Sequence, residues 1–152
     1  ATQYKVAKQL TDSLSDLYIG VNRIRMMRKQ LTNLKLLVPS VDSEIEAAML
    51  RLGEIEAQLV DVHRETPRDV LRHPAGLDDT LMDLRWTVLI ADAKPPLQVA
   101  ELTALVTGKV TMLLDELDTH VEGPLAALNA TVASIGAPAV SAASIGAPKT
   151  GW

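Results

Sequence analysis

Between Gln3 and Leu37 the chain carries Leu10, Leu14, Leu17, Val21, Ile24, Met27, Leu31 and Leu34, spaced by threes and fours, with no proline among them. That spacing lays one apolar stripe along one helix. At ~1.5 Å per residue such a helix is about 50 Å long, and its stripe needs partners along its whole length. Pro39, in the run Val38-Pro39-Ser40, ends it, because proline disfavours helical geometry in the residue before it.

A second helix is expected from about Ser43, where Ser43 and Glu46 have the spacing of a capping box, to Glu65. Its stripe is Ile45, Met49, Leu52, Ile55, Leu59 and Val62. So short a connection predicts that the two helices are antiparallel neighbours. Their charges agree. Arg23, Arg25, Arg28, Lys29 and Lys35 lie on the first helix with no acid between them, and seven acids face two arginines from Asp42 to Glu65. A basic run of this kind reads either as an anion patch or as one flank of a charged hairpin. The acidic neighbour favours the hairpin, although exposed pairs contribute only ~0–1 kcal/mol each.

The stretch "TPRDVLRHPAGLDDTLMDL" (66–84) looks at first like chemistry and is better explained as a joint. Pro67, Pro74 and Gly76 interrupt the helix. Asp78 and Asp79 then fall in the first turn of a third helix, where exposed amides and the helix dipole favour carboxylates. His73 with Asp78 and Asp79 can be drawn as an acid–base cluster, but a loop histidine and capping aspartates account for the same residues. The third stripe is Leu77, Leu81, Leu84, Val88 and Ala91. Pro95 or Pro96 opens a fourth helix carrying Val99, Leu102, Val106, Val110, Leu113, Leu117 and Val121. Gly123-Pro124 is expected to kink or break it before a last segment with Leu125, Leu128 and Val132. Beyond Ala133 the sequence is rich in alanine, glycine, proline and serine, with "SIGAP" twice at a spacing of ten. It reads as an extended tail, mobile or laid along a surface.

The expected fold is therefore an all-α, up-and-down four-helix bundle over residues 1–133, with helices near 3–37, 43–65, 77–92, 96–122 and 124–133, a kinked last helix, and an extended tail over 134–152. A chain of 152 residues can bury a core of this kind. With 3% aromatic residues and no phenylalanine, that core must be aliphatic. The formal charge of −4 argues against a dedicated nucleic-acid binder. The absence of cysteine excludes disulfides, thiolate metal sites and a cysteine nucleophile. No uninterrupted apolar run approaches the roughly 20 residues that span a bilayer, so no membrane span is expected. The chain opens "ATQYKVAKQL", with neither Met nor a signal-peptide pattern, and reads as a piece of something longer.

The three histidines, His63, His73 and His120, have no metal-ligand spacing, and no Glu-x-x-His of the di-iron bundles occurs. Neither a nucleophile elbow nor a phosphate loop is present. No catalytic residue, metal site or cofactor is expected. The third helix is unusual in another way. Besides its stripe it carries Met82, Trp86, Leu89 and Ile90, so it is either buried on all sides or offers a second contact surface. Met82, Trp86, Leu89 and the terminal Trp152 are the candidate interface residues.

Three runs, "LYIGVNRIRMMRKQL", "HPAGLDDTLMDLRWTVLIADAKPPLQVAELTALV" and "LLDELDTHVEGPLAALNATVASIGAPAV", resemble the C-terminal helical region of large bacterial β-propeller proteins. Those proteins are built from BNR (sialidase-type) repeats, are sortilin-like and are glycosyl-hydrolase-like. The resemblance spans about Leu14 to Val140. It rests on Asn22 to Arg25, on Leu77 through Leu81, on Ala93 through Pro96, and on Leu128 through Val140. This chain departs by its Pro-Pro break, by Asp79-Thr80 where the pattern has Asx-Lys, and by the duplicated tail. The resemblance implies a secreted or periplasmic parent and a helical domain that follows the propellers. It carries no catalytic residue onto these positions. The expectation is a non-catalytic structural or interaction domain docked on propellers of its own chain, or holding a homo-oligomer. The alternative is a free-standing helical module for dimerisation or for a small apolar ligand.

Overall fold

The computed structural model describes residues 2–60, 76–90 and 97–141. Its regular elements are all helical: α1 (Thr2–Leu37), a 3-10 turn (Pro39–Val41), α2 (Asp42–Leu59), α3 (Leu77–Ile90), α4 (Leu97–His120), a π-helical turn (Val121–Leu125) and α5 (Ala126–Ser134). The chain is an all-α bundle of four main helices, as the periodicity predicts. The expected end of the second helix at Glu65, the loop with His63 and His73, the Pro95-Pro96 start and Trp152 lie outside the described residues.

The chain divides into two compact units, Ala1–Tyr18 with Ala57–Leu114, and Ile19–Glu56 with Asp115–Trp152. In the first, Ala7, Leu10 and Leu17 of α1, Leu81, Leu84 and Val88 of α3, and Val106, Val110 and Leu113 of α4 are buried. Here Gln3 Nε2 donates to the Val88 carbonyl at 2.6 Å and Tyr18 Oη donates to Asp78 Oδ2 at 3.3 Å, so α3 runs antiparallel to the first half of α1. A strict up-and-down order would make α3 parallel to α1, so that alternation does not hold. Length supplies the reason. With 36 residues α1 is twice as long as α2 with 18, and one short partner cannot cover its stripe.

In the second unit Val21, Ile24, Met27, Leu31 and Leu34 of α1 are buried, as are Ile45, Ala48, Leu52 and Ile55 of α2 and Leu117, Leu125, Leu128 and Val132 from the end of α4 through α5. Burying each such leucine or isoleucine contributes about 1.5–3 kcal/mol. Lys35 Nζ reaches Glu46 Oε1 at 2.7 Å and Asp42 Oδ1 at 3.6 Å, and Arg25 reaches Glu56, which fixes α2 antiparallel to the second half of α1. The expected capping box is absent. Ser43 lies inside the first turn of α2 and donates to Glu44 at 3.2 Å, while Glu46 is held by Lys35. The preceding 3-10 turn leads the chain into the helix, with the Asp42 amide on the Pro39 carbonyl.

The buried row of α4 differs from the expected stripe at both ends. Thr103 is buried and Leu102 exposed, and His120 is buried where Val121 was expected. From Thr103 the buried positions are 103, 106, 110, 113, 117 and 120, alternating three and four, and the next is 125, a step of five. A π-turn holds one residue more per turn than an α-turn needs, so Val121–Leu125 absorbs that extra residue and returns Leu125, Leu128 and Val132 to the core side. Pro124 sits in this turn. Proline lacks the amide that a regular α-turn would use and its ring crowds the carbonyl four residues back. The helical path therefore continues through Gly123-Pro124 by widening.

Helix α5 ends in a Schellman motif. The Gly136 amide bonds to the Ala133 carbonyl (3.1 Å) and the Ala137 amide to the Val132 carbonyl (3.2 Å). Gly136 has φ of +78°, a conformation that side chains disfavour. Pro138 follows at once. The first "SIGAP" is thus a helix stop signal.

Deleting Pro124 restores an unbroken three–four alternation and removes the widened turn. That variant is expected to stay helical with an unfolding midpoint close to the parent's, whereas deleting Asp118 shortens the step from Leu117 to His120 from three residues to two, turns His120 out of the core row, removes the Arg23–Asp118 pair and lowers the midpoint more. Thermal unfolding followed by circular dichroism checks both.

Candidate interaction site

Helix α3 supplies the first candidate. With its core positions Leu81, Leu84 and Val88 turned inward, Met82, Trp86 and Leu89 follow at i, i+4 and i+7 on another face and are 40%, 67% and 50% exposed. Ile90 adds to that face at 59%. Of the two readings open for these residues, burial on all sides is excluded. Helix α4 also exposes Leu102, Leu105 and Met112. The run Leu97–Ser134 is long and apolar enough to cross a membrane by length and composition, a test that helices of water-facing bundles also pass.

Polar groups in the interior of the first unit serve packing. The Asp78 carboxyl accepts the Tyr18 hydroxyl, and burial, followed by the charge of Asp79, holds it above the usual carboxylate range. Amides of the helix start pull it partly back. Burial and Asp78 together push the Tyr18 hydroxyl up. The paired aspartate is therefore a helix start tied to α1. Between α1 and α4 of this unit lies an open groove of about 650 Å³, lined along the first half of α1 by Lys5 and Lys8 and then Asp12 and Asp16, with Lys8 Nζ 3.9 Å from Asp12 Oδ2, and across from them by Ala104 and Gly108.

In the second unit Glu56 is the buried charge, its side chain 4% exposed. Arg25 Nε donates to Oε1 at 3.2 Å and Arg28 Nη1 approaches Oε2 at 3.5 Å, so both carboxylate oxygens are paired. Arg51 joins α2 to α4 through Glu116 at 3.0 Å, and Arg23 joins α1 to α4 through Asp118 at 3.2 Å. The basic run of α1 is thus spent on intramolecular pairs at three of its cations, Arg23, Arg25 and Arg28, and at Lys35. His120 stands in the core row, 6% exposed, with Nε2 buried and without a hydrogen-bond partner. Burial, then the charge of Arg51, holds its pKa below the ordinary 6.5. Glu116, four residues before it, is engaged by Arg51. Among the described residues no three histidine, aspartate or glutamate side chains converge as metal ligands would.

The most specific polar arrangement was not foreseen. After the Schellman turn the chain passes between two carboxamides. Asn129 of α5 donates to the Val140 carbonyl (3.0 Å) and accepts the Val140 amide (2.8 Å). Gln30 of α1 does the same to Ser141, donating at 3.0 Å and accepting at 2.8 Å. A second donor bond from Gln30 to the Met26 carbonyl, 3.3 Å, fixes the orientation of its amide. Val140 is 5% exposed. One sequence signal was available: Asn129 is a poor helix former inside "ALNATV", an otherwise apolar and small-residue turn. Its partner eleven residues on had no local signal.

No protein-family model, curated protein or solved structure matches this chain.

Two outcomes follow from these buried groups. Replacing both arginines (Arg25→Ala with Arg28→Ala) strands a buried carboxylate and is expected to cost about 3–5 kcal/mol in denaturant unfolding, while Glu56→Leu costs much less. For His120 the unfolded state takes up a proton that the folded state resists. Its contribution is intact above pH 6.5 and is lost as pH falls below that value toward the depressed folded pKa. The unfolding midpoint should fall on acidification from pH 7 to 5.5, and His120→Leu should remove that part of the dependence.

Proposed function

We propose that this chain is a non-catalytic interaction domain that docks through the outward face of α3 onto β-propeller domains of a larger secreted or periplasmic protein. The observation that carries the interaction reading is the exposed row Met82, Trp86 and Leu89 on a helix whose opposite face is already buried. An apolar row of this size around a tryptophan is the composition of an interface centre. The engagement of Asp78 at a helix start tied to Tyr18, and of Glu56, Glu116 and Asp118 in ion pairs, supports a non-catalytic role. The propeller partner rests on the resemblance of the three quoted runs.

Self-association of a free-standing module is the second reading, favoured by the α1–α4 groove. Lysines at one end and aspartates at the other become complementary when two copies meet antiparallel about a two-fold axis.

Native mass separates the two. Material isolated from its source is expected in a large species that contains propeller-repeat peptides, and Trp86→Glu with Leu89→Glu should release the helical domain from those repeats without changing its circular dichroism. A small homo-oligomer whose mass responds to Lys8→Glu and not to Trp86→Glu would overturn the propeller reading.

A further inference from the structure

We infer that the α1–α4 groove of the first unit is the face through which two copies of this chain pair, antiparallel about a two-fold axis level with Leu10 and Thr11 of α1. This pairing rests on the self-association reading and gives it a register. It uses no residue of α3, so docking through Trp86 stands or falls separately.

On α1 the groove is lined by Lys5, Lys8, Gln9, Asp12, Ser13 and Asp16, all exposed except the half-buried Ser13. Steps of three and four place them on one face of the helix. Such a face has the same spacing read in either direction, so a second copy laid antiparallel meets it residue for residue. The charges need not follow that symmetry, and here they follow it with opposite sign. Lys5 falls opposite Asp16 of the second copy, and Asp16 opposite its Lys5. Gln9 falls opposite Asp12, and Lys8 opposite Ser13, each a donor against an acceptor. A parallel arrangement would set like charges together, and sliding the second copy by one turn leaves Lys5 or Asp16 without its counterpart.

The side chains are available for this. Among the described residues neither Lys5 nor Asp16 stands in an ion pair. Lys8 and Asp12 are 3.9 Å apart with side chains 68% and 65% exposed, a weak pair within one helix that leaves Asp12 able to accept from Gln9 of the second copy. The lining carries two lysines and two aspartates in a chain whose formal charge is −4, so copies approach here without the repulsion that the net charge imposes elsewhere.

On the other wall of the groove Gly108 has no explanation inside the chain. Glycine weakens a helix interior, and a methyl group in its place would meet no atom within 4 Å. With Ala104 one turn before it, it keeps this wall low. Thr107 and Thr111 return their hydroxyls to carbonyls four residues back, at 2.8 and 3.1 Å, so their donors are already satisfied. The two-fold axis that sets α1 against its copy sets α4 against its copy as well, and the low wall lets the two approach closely.

The test is sedimentation equilibrium of the full chain at low salt over a wide range of concentration, where a reversible dimer is expected. Lys5→Asp places two like-charged pairs in each dimer and should raise the dissociation constant roughly tenfold, as should Asp16→Lys. The two exchanges together restore opposite charges and should bring the constant back to within about threefold of the parent's. Gly108→Leu should abolish the dimer without loss of circular dichroism, since leucine has room there and favours helix. A chain that is monomeric throughout overturns both this pairing and the self-association reading. A dimer that tolerates Gly108→Leu, or in which the double exchange fails to rescue Lys5→Asp, overturns this pairing alone and leaves self-association to another face.

Discussion

A helix of 36 residues with an apolar stripe along its length cannot leave any part of that stripe in water. Everything else in this protein answers to that constraint. Its first half is covered in one unit, where α3 runs antiparallel to it, and its second half in the other, where α2 does the same. The core is aliphatic in both, because a chain without phenylalanine must fill its interior with leucine, valine, isoleucine and alanine. Such side chains favour close, regular helix contact, and regular contact makes the phase of each stripe matter.

Phase explains the last helix. A row alternating three and four cannot accept a step of five without turning its next apolar residues toward water. Widening one turn around Gly123-Pro124 restores the alignment at the cost of one less regular turn. The same row carries His120 as a neutral core residue. Its ring fills the place of an aliphatic side chain, and the pH range in which it stays neutral bounds the range in which the packing is at its best.

Two features of the described residues differ in kind. The α3 row of Met82, Trp86 and Leu89 is apolar and exposed. The pair of carboxamides, Asn129 and Gln30, is polar and directional, and each holds both backbone groups of one residue of the segment that follows α5.

Helix existence, the Asp78-Asp79 helix start and the apolar excess of α3 were set by the sequence itself, because each depends on residues within one or two turns of one another, and the charged α1–α2 hairpin was legible because a short connection joins a basic run to an acidic one. Whether Met82, Trp86 and Leu89 face water or core depends on how many neighbours surround α3, and local pattern carries no such count. The direction of α3 against α1, the burial of His120 in place of Val121, and the pairing of Asn129 with Val140 and Gln30 with Ser141 were decided by tertiary structure. Gln30 and Ser141 are 111 residues apart, and only the closing of the bundle brings a carboxamide of the first helix beside a backbone that follows the last.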